Sequence, residues 1–177
     1  MKKILLALAA AAAMLMTSCG GGMKIEMDNP TNETITVNID GKKDYTLAPM
    51  ELIEVKGLKK GEHTMTVNGG AEIKFALETS SLINPTLSTY VTDITEYSET
   101  PGDMDTDDWV TVEIDGEEYW GPIEVFKNQP VIKTSDINFG VLTPFKEEIE
   151  TSKSGSTFLK KLFRKEDFFK YYEEAYY

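Results

Sequence analysis

The sequence predicts a mainly β protein, with small antiparallel β-sandwich-like units built from hairpins and a C-terminal amphipathic helix packed on a sheet. Three observations predict this fold class. Short segments alternate apolar and polar residues, as half-buried strands do. Asp-Gly pairs, which favour tight hairpin turns, connect such segments. After Pro144 the apolar residues change to a helical spacing.

The first residues form a signal for secretion rather than an element of the fold. Lys2 and Lys3 precede an apolar stretch over residues 4–16, and a short polar stretch follows it. As a helix these thirteen apolar residues would rise only about 20 Å, short of the roughly 30 Å hydrocarbon core of a bilayer. We therefore expect residues 1–18 to be removed and not to remain as a membrane span.

The end of this signal carries Met16, Thr17, Ser18 and Cys19. This segment resembles the lipobox of bacterial lipoproteins, although Met16 stands where Leu is usual. The resemblance implies that Cys19 is diacylated with fatty acids such as palmitate, that the signal is cleaved before it, and that its new amino group is acylated. Three glycines follow, so residues 19–23 are expected to be a lipidated flexible tether. The alternative is a buried or reactive thiol at Cys19.

Charge and composition limit the partners. The 177 residues have a formal net charge of −12, and removal of Lys2 and Lys3 leaves 16 basic against 30 acidic residues, a charge of −14. Such a charge argues against nucleic acid, which is bound mainly through Lys and Arg. A single Cys and a single His, Cys19 and His63, rule out an internal disulfide and a zinc site with several Cys and His ligands. We expect no metal and no cofactor.

Residues 24–78 are predicted to form a small antiparallel β unit. Strands are expected at residues 35–39, around Tyr45, at 52–55, and in two further segments that follow glycine-containing turns. The stretch 35–67, with its Asp-Gly turn and its later Lys-Gly-Glu-His string, is similar to the PEGA-type β-sandwich modules of bacterial envelope proteins. Such modules carry no catalytic residues, so the resemblance implies an accessory role.

Residues 79–150 are predicted to be a second β-rich region, with strands at 90–97, 123–126 and 131–133. Residues 111–116 repeat the pattern of residues 36–41, each ending in Asp-Gly. Internal duplication is one explanation of this similarity. We favour convergence on a common hairpin, because the other shared string, Asn-Pro-Thr, lies at a different offset.

Residues 151–177 are predicted to be a C-terminal helix that is kinked, or divided into two short helices, near Glu166 and Asp167. The cations lie before that point and the acids after it, which opposes the dipole of one continuous helix. Packing on the open face of the sheet is the preferred interpretation. The alternative is a membrane-surface or partner-docking helix that inserts its apolar side chains, among them Phe158 and Leu162.

Two groups of side chains suggest binding chemistry. Asp103, Asp105, Asp107 and Asp108 resemble the alternating carboxylates of a calcium loop, but the Gly and Glu that the helix-loop-helix pattern needs are absent. An acidic, solvated connection is the preferred interpretation.

Trp109, Tyr119 and Trp120 could form a sugar-stacking surface, but strand aromatics are usually core. His63 is expected to be a half-buried strand residue beside a turn rather than a catalytic base, since no Gly-x-Ser-x-Gly motif is present.

Together these features predict a non-catalytic cell-envelope lipoprotein that acts as a binding or scaffolding module. We expect the lipid on Cys19 to hold it in the outer membrane facing the periplasm, with surface display as the alternative, and an envelope protein or glycan as its partner. Two other function classes stay open. One is a surface carbohydrate-binding accessory protein, and the other is a hydrolase that uses two of the thirty acidic residues, which the sequence does not single out.

Overall fold

The computed structural model describes residues 23–97, 106–107, 109–145 and 157–176, and the predicted mainly β fold is confirmed. In chain order the strands are β1 (Ile25–Asp28), β2 (Ile35–Ile39), β3 (Lys43–Leu47), β4 (Leu52–Glu54), β5 (Gly61–Val67), β6 (Ile73–Leu77), β7 (Ser81–Ile83), β8 (Tyr90–Tyr97), β9 (Val110–Ile114), β10 (Glu117–Gly121), β11 (Glu124–Phe126), β12 (Val131–Lys133) and β13 (Thr157–Arg164). One helix, α1 (Lys165–Tyr176), follows β13 directly.

Both predicted Asp-Gly turns are present. Asp40 and Gly41 have φ angles of 56° and 64°, and they reverse the chain between β2 and β3. Asp115 and Gly116, at 55° and 89°, do the same between β9 and β10. Positive φ at both central residues gives a turn whose twist matches that of the flanking strands. These turns fix the registers of the two hairpins.

The strands form four layers. The outer sheet has the order β3-β2-β5-β6, the central sheet β12-β7-β1-β4 and the third sheet β11-β8-β13, while the β9-β10 hairpin and α1 cover the far face of the third sheet. A separate apolar cluster fills each gap between layers. Representative side chains of the three clusters are Val37, Leu47 and Met65 in the first, Leu82, Ile132 and Leu162 in the second, and Val91, Phe163 and Phe168 in the third.

The central sheet joins the two β regions that the sequence suggested. Strand β1 pairs antiparallel with β4 and parallel with β7, which in turn pairs with β12. Residues from before and after position 78 therefore share one sheet. Both faces of this sheet are covered, so β7 is buried along its whole length.

The C-terminal segment differs from the prediction in its first half. Residues 157–164 are not helical but form β13, which pairs with β8 along eight positions. Leu162 contributes to the cluster on one face of this strand and Phe163 to the cluster on the other. A strand buried on both faces lacks clear alternation, so its apolar spacing can be mistaken for that of a helix.

The predicted kink or pair of short helices near Glu166 and Asp167 is not observed, because α1 begins here as a single helix whose first turn contains both acids. Negative side chains in the first turn of a helix interact favourably with its dipole. The predicted packing of a C-terminal helix on a sheet is confirmed, because Phe168 and Tyr172 are buried against the third sheet. Within the described ranges, no helix combines the length and the apolar character needed to cross a bilayer.

Candidate functional site

A cleft lined by lysines lies between two neighbouring turns. One turn joins β2 to β3, and the other is the connection from β4 to β5. The cleft has a volume of about 310 Å³ and is lined by Lys42, Lys43, Lys56 and Lys59, with Tyr45 and Leu58 as its apolar walls. We call it the lysine cleft. The sequence contains the signal for it, since five of the 18 basic residues fall between positions 42 and 60, but the prediction above did not use it.

His63 holds the two turns of the lysine cleft together. Its Nδ1 lies 2.9 Å from Oδ2 of Asp40, and its Nε2 lies 2.8 Å from the carbonyl oxygen of Lys59. Asp40 Oδ1 also accepts a hydrogen bond from the backbone N–H of Thr64, at 3.0 Å. Because a carbonyl and a carboxylate oxygen both accept, the two ring nitrogens can both donate only in the imidazolium form.

The pKa of His63 agrees with this geometry. Burial lowers it, but the Lys59 carbonyl and the Asp40 carboxylate outweigh burial, so the pKa of His63 is raised above its usual value. Hydrogen bonds from Thr64 and His63 in turn lower the pKa of Asp40. The ring stacks on Phe75 with a centroid separation of 5.5 Å. The structure thus places His63 in a strand, partly buried and beside a turn, where both of its nitrogens have structural partners.

The lysines of the two turns are exposed and are not paired with described acidic side chains. Lys42, Lys43, Lys56, Lys59 and Lys60 are all exposed, and within the described part of the chain none of them forms an ion pair. Five of the nine other described Lys and Arg side chains do so, for example Lys24 with an acid at 2.7 Å and Lys133 with another at 2.6 Å. Lys43 lies over the ring of Tyr45, with its Nζ 4.5 Å from the centroid. Five lysines stand against three exposed acids next to these turns, Asp44, Glu54 and Glu62, so this end of an acidic protein carries an excess of positive charge.

A buried ionic centre joins the central and third sheets. Arg164, at the end of β13, binds both carboxylate oxygens of Asp28, with its Nε 2.9 Å from Oδ2, and it donates to the carbonyl of Met50 at 3.0 Å. The hydroxyl of Tyr90 donates to the same Oδ2 at 2.6 Å. Burial and the adjacent carboxylate raise the pKa of Tyr90. Since every group here has a partner inside the protein, the centre is structural.

A second pair of ionisable groups lies beneath α1. Asp93 and Lys161 occupy paired positions of β8 and β13. Burial raises the pKa of Asp93 to about 6, against hydrogen bonds from Tyr171 and from the backbone of Ile94. Burial lowers the pKa of Lys161 to about 8, and its Nζ donates to the carbonyls of Gly140 and Thr143 at 3.1 and 2.6 Å. Asp93 is fully buried, so it does not line an open cleft of the kind that a hydrolase needs.

The three aromatic residues proposed as a sugar platform are divided by the structure. Tyr119 points into the core, where it packs on Phe168 and Tyr172. Trp109 and Trp120 remain together, with centroids 4.3 Å apart and planes tilted by 57°. Trp120 is 49% exposed. The three rings therefore do not form a coplanar platform, and only Trp109 and Trp120 lie side by side.

Two of the predicted sites fall on parts of the chain that the structure does not describe. Cys19 and most of the acidic segment, including Asp103, Asp105 and Asp108, lie outside the described residues. Among the residues that the structure does describe, no group of three or more His, Cys, Asp and Glu side chains is arranged to hold a metal ion.

Sequence reasoning missed the buried centres because their partners are far apart in the chain, 136 residues for Asp28 and Arg164. The chain matches no protein-family model, and no curated protein or solved structure is significantly similar to it.

Proposed function

We propose that this chain is a non-catalytic cell-envelope lipoprotein, anchored through Cys19, whose stack of β-sheets serves as a binding or scaffolding module. The observation that carries the proposal is the lipobox-like string Met16-Thr17-Ser18-Cys19 immediately before a glycine linker. The described fold begins only four positions after Cys19, and Met23 already packs against the first core cluster. An acyl anchor at Cys19 would therefore be attached almost directly to the folded body.

The way in which the ionisable groups are used supports a module without catalysis. Asp28 and Arg164 bind each other, and His63 joins two turns. Asp93 lies under a helix. Asp28, Arg164 and His63 thus hold parts of the fold together and Asp93 is closed off from solvent, whereas the exposed lysines and the exposed Trp120 are available to a partner. For location we propose the outer membrane with the protein facing the periplasm.

Metabolic labelling with a clickable fatty acid tests the anchor. The wild-type chain is expected to take up the label, and Cys19→Ala is expected to lose it. Ser18→Ala is the matched control, because a small residue before the Cys should be tolerated. Label that persists in Cys19→Ala would overturn the lipoprotein proposal. Protease treatment of intact cells then tests location, with protection until the outer membrane is opened as the expected result and degradation on intact cells as the result for surface display.

One observation favours carbohydrate binding as a second candidate function. Trp109 and Trp120 form an adjacent pair with one ring half exposed, and they are the two Trp residues of the chain. Their intrinsic fluorescence therefore reports on this surface directly. A shift on titration with envelope oligosaccharides that disappears in Trp120→Ala, but not in the matched control Phe158→Ala, would support it. An unchanged spectrum with every oligosaccharide would end this candidate.

A further inference from the structure

We infer that the end of the molecule that carries the lysine cleft is a membrane-contact surface, which binds the anionic phospholipid headgroups of the leaflet that holds the acyl anchor. This inference rests on the proposed lipidation of Cys19. It goes beyond that proposal because it assigns the orientation of the folded body and a partner for the lysines of the two turns. Three observations carry it: where the chain enters the fold, how long the linker is, and where the unpaired charge lies.

The chain enters the fold beside the lysine cleft. The backbone N–H of Val55, the residue before Lys56, donates to the carbonyl of Ile25 at 2.8 Å. Met23 and Leu58 pack against the same core cluster. The start of β1 and the turn that carries Lys56 are thus direct neighbours.

The second lysine turn lies at this same end. Asp40 accepts from His63, and its backbone N–H donates to Thr64 at 2.9 Å. These bonds fix the β2–β3 turn, with Lys42 and Lys43, against the start of β5, which directly follows the other turn. Because the contacts are made by backbone groups and a partly buried histidine, the two turns present their lysines as one surface.

The linker leaves little freedom in how far this end can move from the bilayer. Four Cα-to-Cα steps separate Cys19 from Met23, and a trans peptide spans 3.8 Å per step, so the two residues are at most about 15 Å apart. With the acyl chains of Cys19 in the membrane, Met23 cannot leave the headgroup region by more than this distance. Because the turn with Lys56 adjoins the start of β1, this limit keeps the lysines close to the bilayer, and when their end faces the lipid they can lie within one Debye length of the surface, about 8 Å at physiological salt.

Charge identifies the partner. The five lysines of the turns are exposed and without ion pairs within the described residues, whereas the whole chain carries a net charge of −12. An acidic body close to an anionic leaflet is repelled unless its cationic end faces the lipid. A lysine near an anionic leaflet typically strengthens binding about fivefold. The short tether keeps this end of the fold near the lipid, and the lysines favour the pose in which this end faces it.

Chemical anchoring tests the surface separately from lipidation in cells. The chain from residue 19 onward omits none of the described residues, and its single Cys allows it to be coupled to a maleimide lipid in preformed vesicles. The vesicles are phosphatidylcholine alone or phosphatidylcholine with phosphatidylglycerol. The reaction of each lysine with an amine-acylating reagent is then followed by mass spectrometry. We expect Lys56 and Lys59 to react at least fivefold more slowly on the anionic vesicles, while the distant Lys127 and Lys170 react at the same rate on both.

Charge reversal provides the variant test. Lys56→Glu combined with Lys59→Glu is expected to remove the protection of Lys42 and Lys60. Lys127→Glu combined with Lys170→Glu makes the same change in net charge and should leave that protection intact. Circular dichroism confirms that both variants are folded.

Three results would overturn the inference. The first is equal reaction rates on both kinds of vesicle, and the second is protection that survives the charge reversal of Lys56 and Lys59. The third is equal protection of the uncoupled chain by free glycerol phosphate, which would indicate a small-phosphate site instead of a lipid surface. A failure of fatty-acid labelling in cells with clear protection on vesicles would refute the proposed anchor and leave the lysine surface standing.

Discussion

Removal of the carboxylate at the buried ionic centre is predicted to destabilise the protein strongly. In Asp28→Ala the guanidinium of Arg164, which is 3% exposed, loses both hydrogen bonds to its counter-ion and keeps only the carbonyl of Met50. The hydroxyl of Tyr90 loses its acceptor as well. Breaking a buried ion pair by removing one partner typically costs about 3–5 kcal/mol, because the other charge stays buried without compensation.

Urea unfolding followed by the fluorescence of Trp109 and Trp120 measures this loss in the free energy of unfolding. In a thermal melt of a chain of this length, a loss of 1 kcal/mol lowers the melting temperature by roughly 2–4 °C, so we expect it to fall by about 6–20 °C. Tyr90→Phe removes a single hydrogen bond to a charged group and should cost less, about 1.5–3 kcal/mol. Replacing both ions, with Asp28→Leu and Arg164→Met, should be less damaging than Asp28→Ala alone, because no buried charge is then left unpaired.

The reasoning would be refuted by a small effect of the single change. A loss below about 1 kcal/mol in Asp28→Ala, with an unchanged dependence on urea, is the size expected of an exposed ion pair. It would mean that water reaches Arg164 and that the centre is not buried as described. A double variant whose loss equals the sum of the losses in Asp28→Leu alone and Arg164→Met alone would likewise show that the two ions do not interact.

Three further predictions concern pH and backbone conformation. Since the pKa of His63 is raised by folding, the stability it contributes is complete below its ordinary pKa of about 6.5 and is lost as the pH rises through the folded-state value; thermal melts between pH 5 and 9 should show this loss in the wild type and a flatter profile in His63→Gln. Burial raises the pKa of Asp93 from 3.8 to about 6, so the unfolded chain gives up this proton at lower pH and stability falls as the pH rises from about 4 to 6. Asp93→Asn should therefore stabilise the protein at pH 8 by about 3 kcal/mol and much less at pH 4; equal effects at both values would contradict the assignment. Replacement of Gly116, which has a φ of 89°, by Ala should lower the free energy of unfolding by about 1–2 kcal/mol. Gly140→Ala should change the urea midpoint little, because a Cβ there would meet open space and the φ is not positive. Similar losses at both positions would argue against strain at the turn.

Local signals predicted the hairpins and several strands correctly. The Asp-Gly pairs act through two adjacent residues, so they could be recognised from sequence alone, and the strands at residues 90–97 and 131–133 have the predicted bounds. Strand β13 could not be recognised in this way. Its conformation is decided by pairing with β8, about 70 residues earlier in the chain, and its burial on two faces removes the alternation that marks a strand.

The candidate sites divide in the same way. The lysines of the two turns are concentrated in a short stretch and could be recognised from composition, although only the fold shows that the stretch lies beside the start of β1. The partnership of Asp28 with Arg164 depends on the packing of two sheets and has no local signal. Likewise, only the fold separates Tyr119, which is buried, from the neighbouring Trp120, which is exposed.

For a chain secreted as proposed above, the central position of β1 has a consequence for the order in which the sheets form. The first strand of the described chain is an interior strand, whose neighbours are β4 and β7, and its last residue binds the final residue of β13. A chain that emerges from a membrane channel amino end first cannot complete its central sheet until β12, about 105 residues after β1, has followed. The bond from Asp28 to Arg164 has to wait for about 30 residues more. An enzyme that acylates Cys19 before then would meet a chain whose fold is not yet closed.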